Sequence, residues 1–279
     1  MVDGLVVVKI GGASGVDPDG VCADVAALVR AGRRVVLVHG GSAAVDDLAA
    51  RLGVPQRHLV SPSGVTTRHT DAATLRVLQL ALLGQVRPAV LAALGRGGVR
   101  AVGLSGLDAN LLRAERRAAV RAVVDGRRVL VRDDHSGRIT SVDGGLLRLL
   151  LADGVTPVVS PPAVAEDGLP VNANADRVAA AVAVELGAQA LVFLTAAPGL
   201  LADPADDASL LAEHELGEDT PVAGGGMAVK LVAAREALRG GVRSVVVSDG
   251  RVASPVGRAL DGGGTRLRLA PAAPVRRPA

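Results

Sequence analysis

Apolar residues fall in short runs that break at glycine and give way to helical stripes. The first run, residues 5–10, holds five apolar residues and Lys9, and it stops at Gly11-Gly12. A run of this kind is a buried strand, and the glycines free its end to turn. Asp17-Pro18 then starts a helix, with Asp as N-cap and Pro in the first position. Val21, Val25 and Leu28 form its apolar stripe, and Gly32 ends it. Residues 34–38 make a second buried strand. It runs into His39-Gly40-Gly41-Ser42 and a helix to about Leu52.

The same rhythm continues. A helix is expected from about Asp71, and strands over 99–104, 156–160, 190–195 and 243–248, with a short last one after Gly264-Thr265. Asp125-Gly126 between alternating stretches signals a hairpin. Asn174 caps a helix that stays apolar to about Leu186, and Gly224-Gly225-Gly226 opens one carrying Lys230. Residues 203–219 read as an acidic, disordered stretch, and 271–279 as a frayed tail. Strands alternating with helices predict an α/β protein, as one large domain or two lobes.

Composition changes how Lys9 is read. The chain has 279 residues and 31 Lys plus Arg, yet only Lys9 and Lys230 are lysines. At a solvated position the two cations do nearly the same work. They differ where a compact charge must sit in a tight place, because guanidinium is wide, planar and forked. Two lysines surviving against this background predict that Lys9 and Lys230 act in one site. Each glycine loop presents backbone N–H groups near a helix start, which suits an anion. The loop before Lys230 is not a Walker A sequence.

Other classes recede. Phe193 is the one aromatic residue, so the stacking platforms that hold single-stranded nucleic acid are missing, although the pI is about 9.9. Apolar stretches such as 178–184 are interrupted well short of the roughly 18 residues of a membrane span. No nucleic-acid or membrane partner is expected. The lone Cys22 reads as a core residue and fits a reducing, cytoplasmic setting. No zinc spacing or Gly-x-Ser-x-Gly elbow is present. His39 and His69 read as packing or capping residues. Arg68, just before a helix start, is either a surface residue or a clamp for a carboxylate. Arg113, Arg116, Arg117, Arg121, Arg127, Arg128 and Arg132 form a basic patch, either solvated or a docking face for an acidic partner.

Taken in order, Lys9-Ile-Gly-Gly, His39-Gly-Gly, Arg68, Asn172-x-Asn-x-Asp176, Pro198-Gly-Leu-Leu and Gly226-Met-x-x-Lys230 resemble the amino acid kinase family. The chain looks like its N-acetylglutamate kinase group. The resemblance implies a three-layer αβα sandwich with a mainly parallel sheet and two lobes. The first, 1–170, would bind the acyl amino acid and dimerise. The second, 171–269, would bind ATP with Mg2+, leaving 270–279 as a tail.

It also implies the chemistry and the roles. ATP would phosphorylate a side-chain carboxylate to an acyl phosphate. A carboxylate with a pKa of about 4.3 is ionised at neutral pH and needs no general base. Lys9 and Lys230 would neutralise the transferring phosphoryl group, and Asp176 would hold both. Gly11, Gly12, Thr195, Gly199, Gly226 and Met227 would contact nucleotide or phosphate. Gly40, Gly41, Ser42, Arg68 and Asn172 would bind the acceptor. Ser42 stands where arginine-pathway enzymes usually have a third glycine. With 103–108 and Pro161-Pro162-Ala163, it resembles kinases acting on aminoadipate or glutamate attached to a small acidic amino-group carrier protein. Arg113, Arg116, Arg117, Arg121, Arg127 and Arg128 would then be the docking surface. Asn172-Ala-Asn-Ala-Asp176 is closer to the free N-acetylglutamate kinases, which remain the alternative, beside a catalytically silent partner-binding member. Thr195-Ala196-Ala197 departs from the usual acidic or amide residue after Ser/Thr.

Overall fold

The computed structural model describes residues 4–12, 15–61, 66–117, 119–124, 127–217 and 225–271. Gly224, the hairpin turn 125–126, the end of the acidic stretch and the tail from 272 lie outside them. In chain order the elements are β1 Val6–Ile10, α1 Pro18–Arg30, β2 Val35–His39, α2 Ser42–Arg51, β3 His58–Val60, β4 Thr66–Arg68 and α3 Ala72–Ala81. A π-helical turn, Leu82–Val86, joins α3 to α4 Arg87–Arg96. Then come β5 Ala101–Ser105, β6 Leu112–Arg116, β7 Val120–Val124, β8 Arg127–Val131, β9 Gly137–Val142, α5 Gly144–Ala152, β10 Thr156–Ser160, β11 Ala163–Val164 and β12 Pro170–Val171. The last third holds α6 Ala175–Leu186, β13 Ala190–Thr195, β14 Glu213–Leu216, α7 Gly225–Arg239, β15 Ser244–Asp249, α8 Pro255–Leu260 and β16 Thr265–Leu269.

Eight strands form the central sheet in the order β14-β16-β15-β13-β1-β2-β10-β5. Every junction is parallel except β15 with β16. β1 alternates as a strand must, so its two faces feed two cores. Val6, Val8 and Ile10 pack with Val21, Val25, Leu94 and Val256 beneath α1, α4 and α8. Val7 packs with Val38, Phe193, Val178, Val182 and Ala233 beneath α6 and α7. Helices therefore cover both faces, giving the three-layer α/β arrangement. The caps follow the sequence: Asp17 accepts from Asp19 and Gly20 N–H, Asp71 from Thr74 N–H, and Asn174 from Asp176 and Arg177 N–H.

Two small sheets flank the large one, β12-β11-β6-β9 and β4-β3-β7-β8. The second contains the expected hairpin, with Val124 opposite Arg127. One expectation is corrected. Within the acidic stretch, residues 213–216 are not disordered but form β14, paired with β16 at the edge of the central sheet. Glu213 and Glu215 point outward from it and only Leu216 is buried, so no hydrophobic run announced the strand. One described helix, 72–96, is long and apolar enough to cross a membrane by length and composition alone. Here it buries Val77, Leu78, Leu82, Val90 and Leu94 against neighbouring elements.

Candidate active site

Position 9 has the parity of Val7, so Lys9 faces α6 rather than α1. There it meets the first turn of α6, where Asn174 Oδ1 accepts the Asp176 N–H at 2.9 Å and the Arg177 N–H at 3.1 Å. That cap fixes Asp176. Lys9 Nζ lies 2.7 Å from Asp176 Oδ1, and Lys230 Nζ donates to Asp176 Oδ2 at 3.2 Å. The two lysines do share one site, joined by one carboxylate. Burial pulls the Lys9 pKa below that of a free lysine, Lys230 adds to the effect and Asp176 opposes it. Burial alone would raise the Asp176 carboxyl, but Lys9 and Lys230 overcome it and hold it below the usual carboxylate range. Two ammonium groups against one carboxylate leave a net positive charge in a low-dielectric place, and an anion completes it.

The glycine loops close over this triad. Ser42 Oγ donates to the Gly12 carbonyl at 2.8 Å, and the Ala43 N–H donates to the same oxygen at 2.9 Å. A Cβ at Gly12 would stand 2.6 Å from the Gly41 nitrogen and 2.8 Å from that of Ser42, so only glycine lets the two loops touch. Gly225 and Gly226, at the start of α7, have nothing within 4 Å of an added Cβ and stand beside the same space. A cleft of about 520 Å³ joins these parts. Its wall contains Lys9, Gly11, Gly12, Gly40, Gly41, Ser42, Arg68, Asn172, Asp176, Thr195, Gly226 and Lys230.

Two expected nucleotide contacts are not in this wall. Gly199 is pressed against β16, where an added Cβ would sit 2.6 Å from Thr265 Oγ1, and the Leu200 N–H donates to that oxygen at 2.8 Å. Met227 packs against the hydrophobic core.

The wall that carries Arg68 and Asn172 is held by residues that the motifs did not reveal. Arg68 Nη1 pairs with Asp46 Oδ1 at 2.7 Å and also bonds Gln56. Asn172 Nδ2 donates to Thr70 Oγ1 at 3.1 Å. The buried Asp134 accepts the Thr70 N–H at 3.1 Å and the Ser136 N–H at 2.9 Å, which ties the loop before β9 to this wall. The only sequence signal is the Asp-x-Ser spacing of an Asx turn.

The arginine patch divides. Arg116 is engaged internally: it pairs with Asp167 at 3.2 Å and bonds His135 Nδ1 at 2.8 Å. The β7–β8 register puts Arg128 opposite Val123, hence on the face of Arg121. Arg127 lies opposite Val124, on the face of the buried Ala122. Arg113 is exposed on β6, and Arg117 lines the cleft. His39 is buried, its Nδ1 3.0 Å from the Gly40 carbonyl oxygen, and Cys22 is buried in the core, as expected of both. Among the described residues there is no group of three or more His, Cys, Asp or Glu that could hold a metal.

A buried cationic floor beneath two backbone N–H loops, on an open and mainly parallel sheet, defines a phosphoryl-transfer protein of the amino acid kinase class. The profile of the amino acid kinase family matches residues 4–249, and the chain belongs to that family; it is a phosphotransferase.

Among its relatives, the LysW-aminoadipate kinase of Deinococcus radiodurans is 41% identical over 94% of this chain and 90% of its own length. That of Thermus thermophilus is 41% identical over 95% of this chain and all of its own. The acetylglutamate kinase of Frankia casuarinae is also 41% identical, over 98% of this chain and 78% of its own. Among solved structures, the N-acetylglutamate synthase of Neisseria gonorrhoeae, complexed with coenzyme A and N-acetyl-glutamate, superimposes with a TM-score of 0.76 at 27% identity. The match covers 96% of this chain, which spans only 60% of the synthase chain. Giardia carbamate kinase, 17% identical over 97% of this chain and all of its own, shares the fold with a TM-score of 0.66.

Proposed function

We propose that the cleft transfers the γ-phosphoryl group of ATP to the side-chain carboxylate of an amino-protected acidic amino acid, aminoadipate or glutamate, attached to a small acidic carrier protein. The Lys9–Asp176–Lys230 triad carries the kinase reading. The problem in this reaction is repulsion between two anions, the attacking carboxylate and the phosphate. Fixed positive charge and positioning answer it. Lys9 and Lys230 stabilise charge on the transferring group, and the N–H groups of Gly12, Gly41 and Gly226, which line the same cleft, assist. Asp176 holds both ammonium groups. Arg68 and Asn172 take the acceptor's α-carboxylate and amide.

The donor set fits a nucleotide phosphate: two ammonium groups and an open glycine turn at a helix start. Mg2+ would ride on the nucleotide phosphates and neutralise part of their charge.

The names of the Deinococcus and Thermus relatives favour a carrier-linked acceptor. The hairpin face of Arg121 and Arg128, with Leu130 51% exposed between them, suits an acidic protein. We place the enzyme in the cytoplasm, as a homodimer with an acceptor lobe before residue 171 and a nucleotide lobe after it. The Frankia relative favours a second reading, a free N-acetylglutamate kinase.

The deciding experiment is ADP release with carrier-linked aminoadipate, carrier-linked glutamate and N-acetylglutamate, with hydroxylamine trapping the acyl phosphate. Turnover of a tethered acceptor alone, weakened by salt, supports the first reading. Good turnover of free N-acetylglutamate supports the second.

A further inference from the structure

We propose that Thr70 is a positioning residue for the acceptor: it sets which end of the Asn172 amide faces the cleft. The assignment rests on the kinase reading above. Thr70 is fully buried and lies behind the cleft wall, so it touches no ligand itself. It stands between the two residues assigned to the acceptor. Its hydroxyl donates to the Arg68 carbonyl at 3.4 Å and accepts from Asn172 Nδ2 at 3.1 Å, across 102 positions of chain.

That hydroxyl has one proton. The Arg68 carbonyl takes it, so the Oγ1 lone pairs are left for a donor, and only the nitrogen end of the amide can supply one. Nδ2 is thereby turned into the wall and Oδ1 toward the cleft that Asn172 lines. At this point the cleft is offered a hydrogen-bond acceptor and not a donor. A free amide would present either end.

The backbone on both sides of this contact is held. The Thr70 N–H donates to the buried Asp134 at 3.1 Å, and the Thr70 carbonyl accepts the His135 N–H at 2.7 Å. The Asn172 N–H donates to the His135 carbonyl and the Asn172 carbonyl accepts the Gly137 N–H, both at 2.8 Å. Each backbone N–H and C=O of the two residues is paired, so neither can move aside to let the amide turn.

Steady-state kinetics of the intact enzyme with ATP and carrier-linked aminoadipate test this. If the wild type turns over only N-acetylglutamate, the same comparison is made with that acceptor. Thr70→Val keeps the shape of the side chain and removes the hydroxyl. It should raise the KM for the acceptor about tenfold and leave the KM for ATP within about twofold. Thr70→Ser restores the hydroxyl and should restore the acceptor KM. In an Asn172→Ala background, Thr70→Val should add nothing to the acceptor KM, because the amide it aims is gone. Should Thr70→Val fail to fold, Asp134→Asn, which loosens the Thr70 N–H, is read in its place with a shift in the same direction expected. A rise that persists in the Asn172→Ala background, equal rises for acceptor and ATP, or no rise at all overturns the assignment. A wild type that turns over none of the three acceptors sinks the kinase reading and this assignment with it, a different result visible before any variant is made.

Discussion

Lys9 Nζ stands 2.7 Å from Asp176 Oδ1, with both side chains 6% exposed. Removing the carboxylate leaves two ammonium groups facing each other out of water. Breaking a buried pair in this way costs about 3–5 kcal/mol. Asp176→Asn should therefore lower the denaturant midpoint markedly and reduce kcat by about 10²–10³. Denaturant titration and ADP release separate the two effects. A variant of unchanged stability and activity would contradict the triad.

Lys9→Arg retains the charge but not its shape. The side chain leaves the middle of a sheet between β13 and β2, where a forked guanidinium has no room. Its kcat should fall about as far as that of Lys9→Ala. Partial activity well above the alanine variant would mean that the scarcity of lysine carried no information here.

Gly12 and Gly40 both line the cleft, but for different reasons. At Gly12 an added Cβ meets backbone nitrogen at 2.6 Å, whereas at Gly40 it meets only the Ala175 Cβ at 3.4 Å. Gly12→Ala should push the two loops apart and cost at least tenfold in kcat/KM for ATP, since small displacements at such sites are expensive. Gly40→Ala should stay within a few-fold of wild type. Steady-state kinetics on the pair will show it.

His39 makes stability depend on pH. Burial, helped by Arg87 and Lys9, lowers its pKa to about 4, against the bond to the Gly40 carbonyl. Between pH 6.5 and 4 the unfolded chain binds a proton at this residue that the folded chain refuses. The stability is complete above pH 6.5 and falls as the pH drops through that window, by about 2–3 kcal/mol at pH 4.5. His39→Asn should flatten the difference between unfolding midpoints at pH 7.5 and 4.5. Parallel pH profiles for variant and wild type would refute this.

Asp24 reaches from α1 to the start of α8, where Oδ2 accepts the Val256 N–H at 2.7 Å and the Gly257 N–H at 2.9 Å. Asp24→Ala orphans both donors. Thermal unfolding should report a loss of about 1–2 kcal/mol, with kcat untouched.

What the sequence disclosed and what it hid divide along physical lines. Buried parallel strands are continuous apolar runs, so β1, β2, β10, β13 and β15 stood out. Lys9 and Lys230 were legible because two lysines among arginines are conspicuous, whereas the N-cap explained Asp176 structurally and only the resemblance of Asn172-x-Asn-x-Asp176 pointed to its place beside them. β14 was hidden because an edge strand with outward glutamates lacks an apolar alternation. Asp134 was hidden because the Thr70 N–H becomes its partner only when the chain closes, and the local bond to Ser136 marks no more than a turn. Gly199 was legible as a motif residue, yet its packing reason, contact with Thr265, lies far along the chain. The arginines of 113–128 read as one patch, because strand pairing, which puts Arg128 on the face of Arg121 and Arg127 on that of Ala122, is not legible along the chain.

β1 is hydrogen-bonded on one side to β2 and on the other to β13. During synthesis its first neighbour emerges almost at once, but the second belongs to the last third of the chain. At about 5–20 residues per second, one edge of Val6–Ile10 stays open for on the order of ten seconds or more. For that interval the nascent protein carries an unpaired apolar strand and a lysine with no counter-ion. Until α6 and β13 arrive, that edge is a site where two nascent chains can pair with each other.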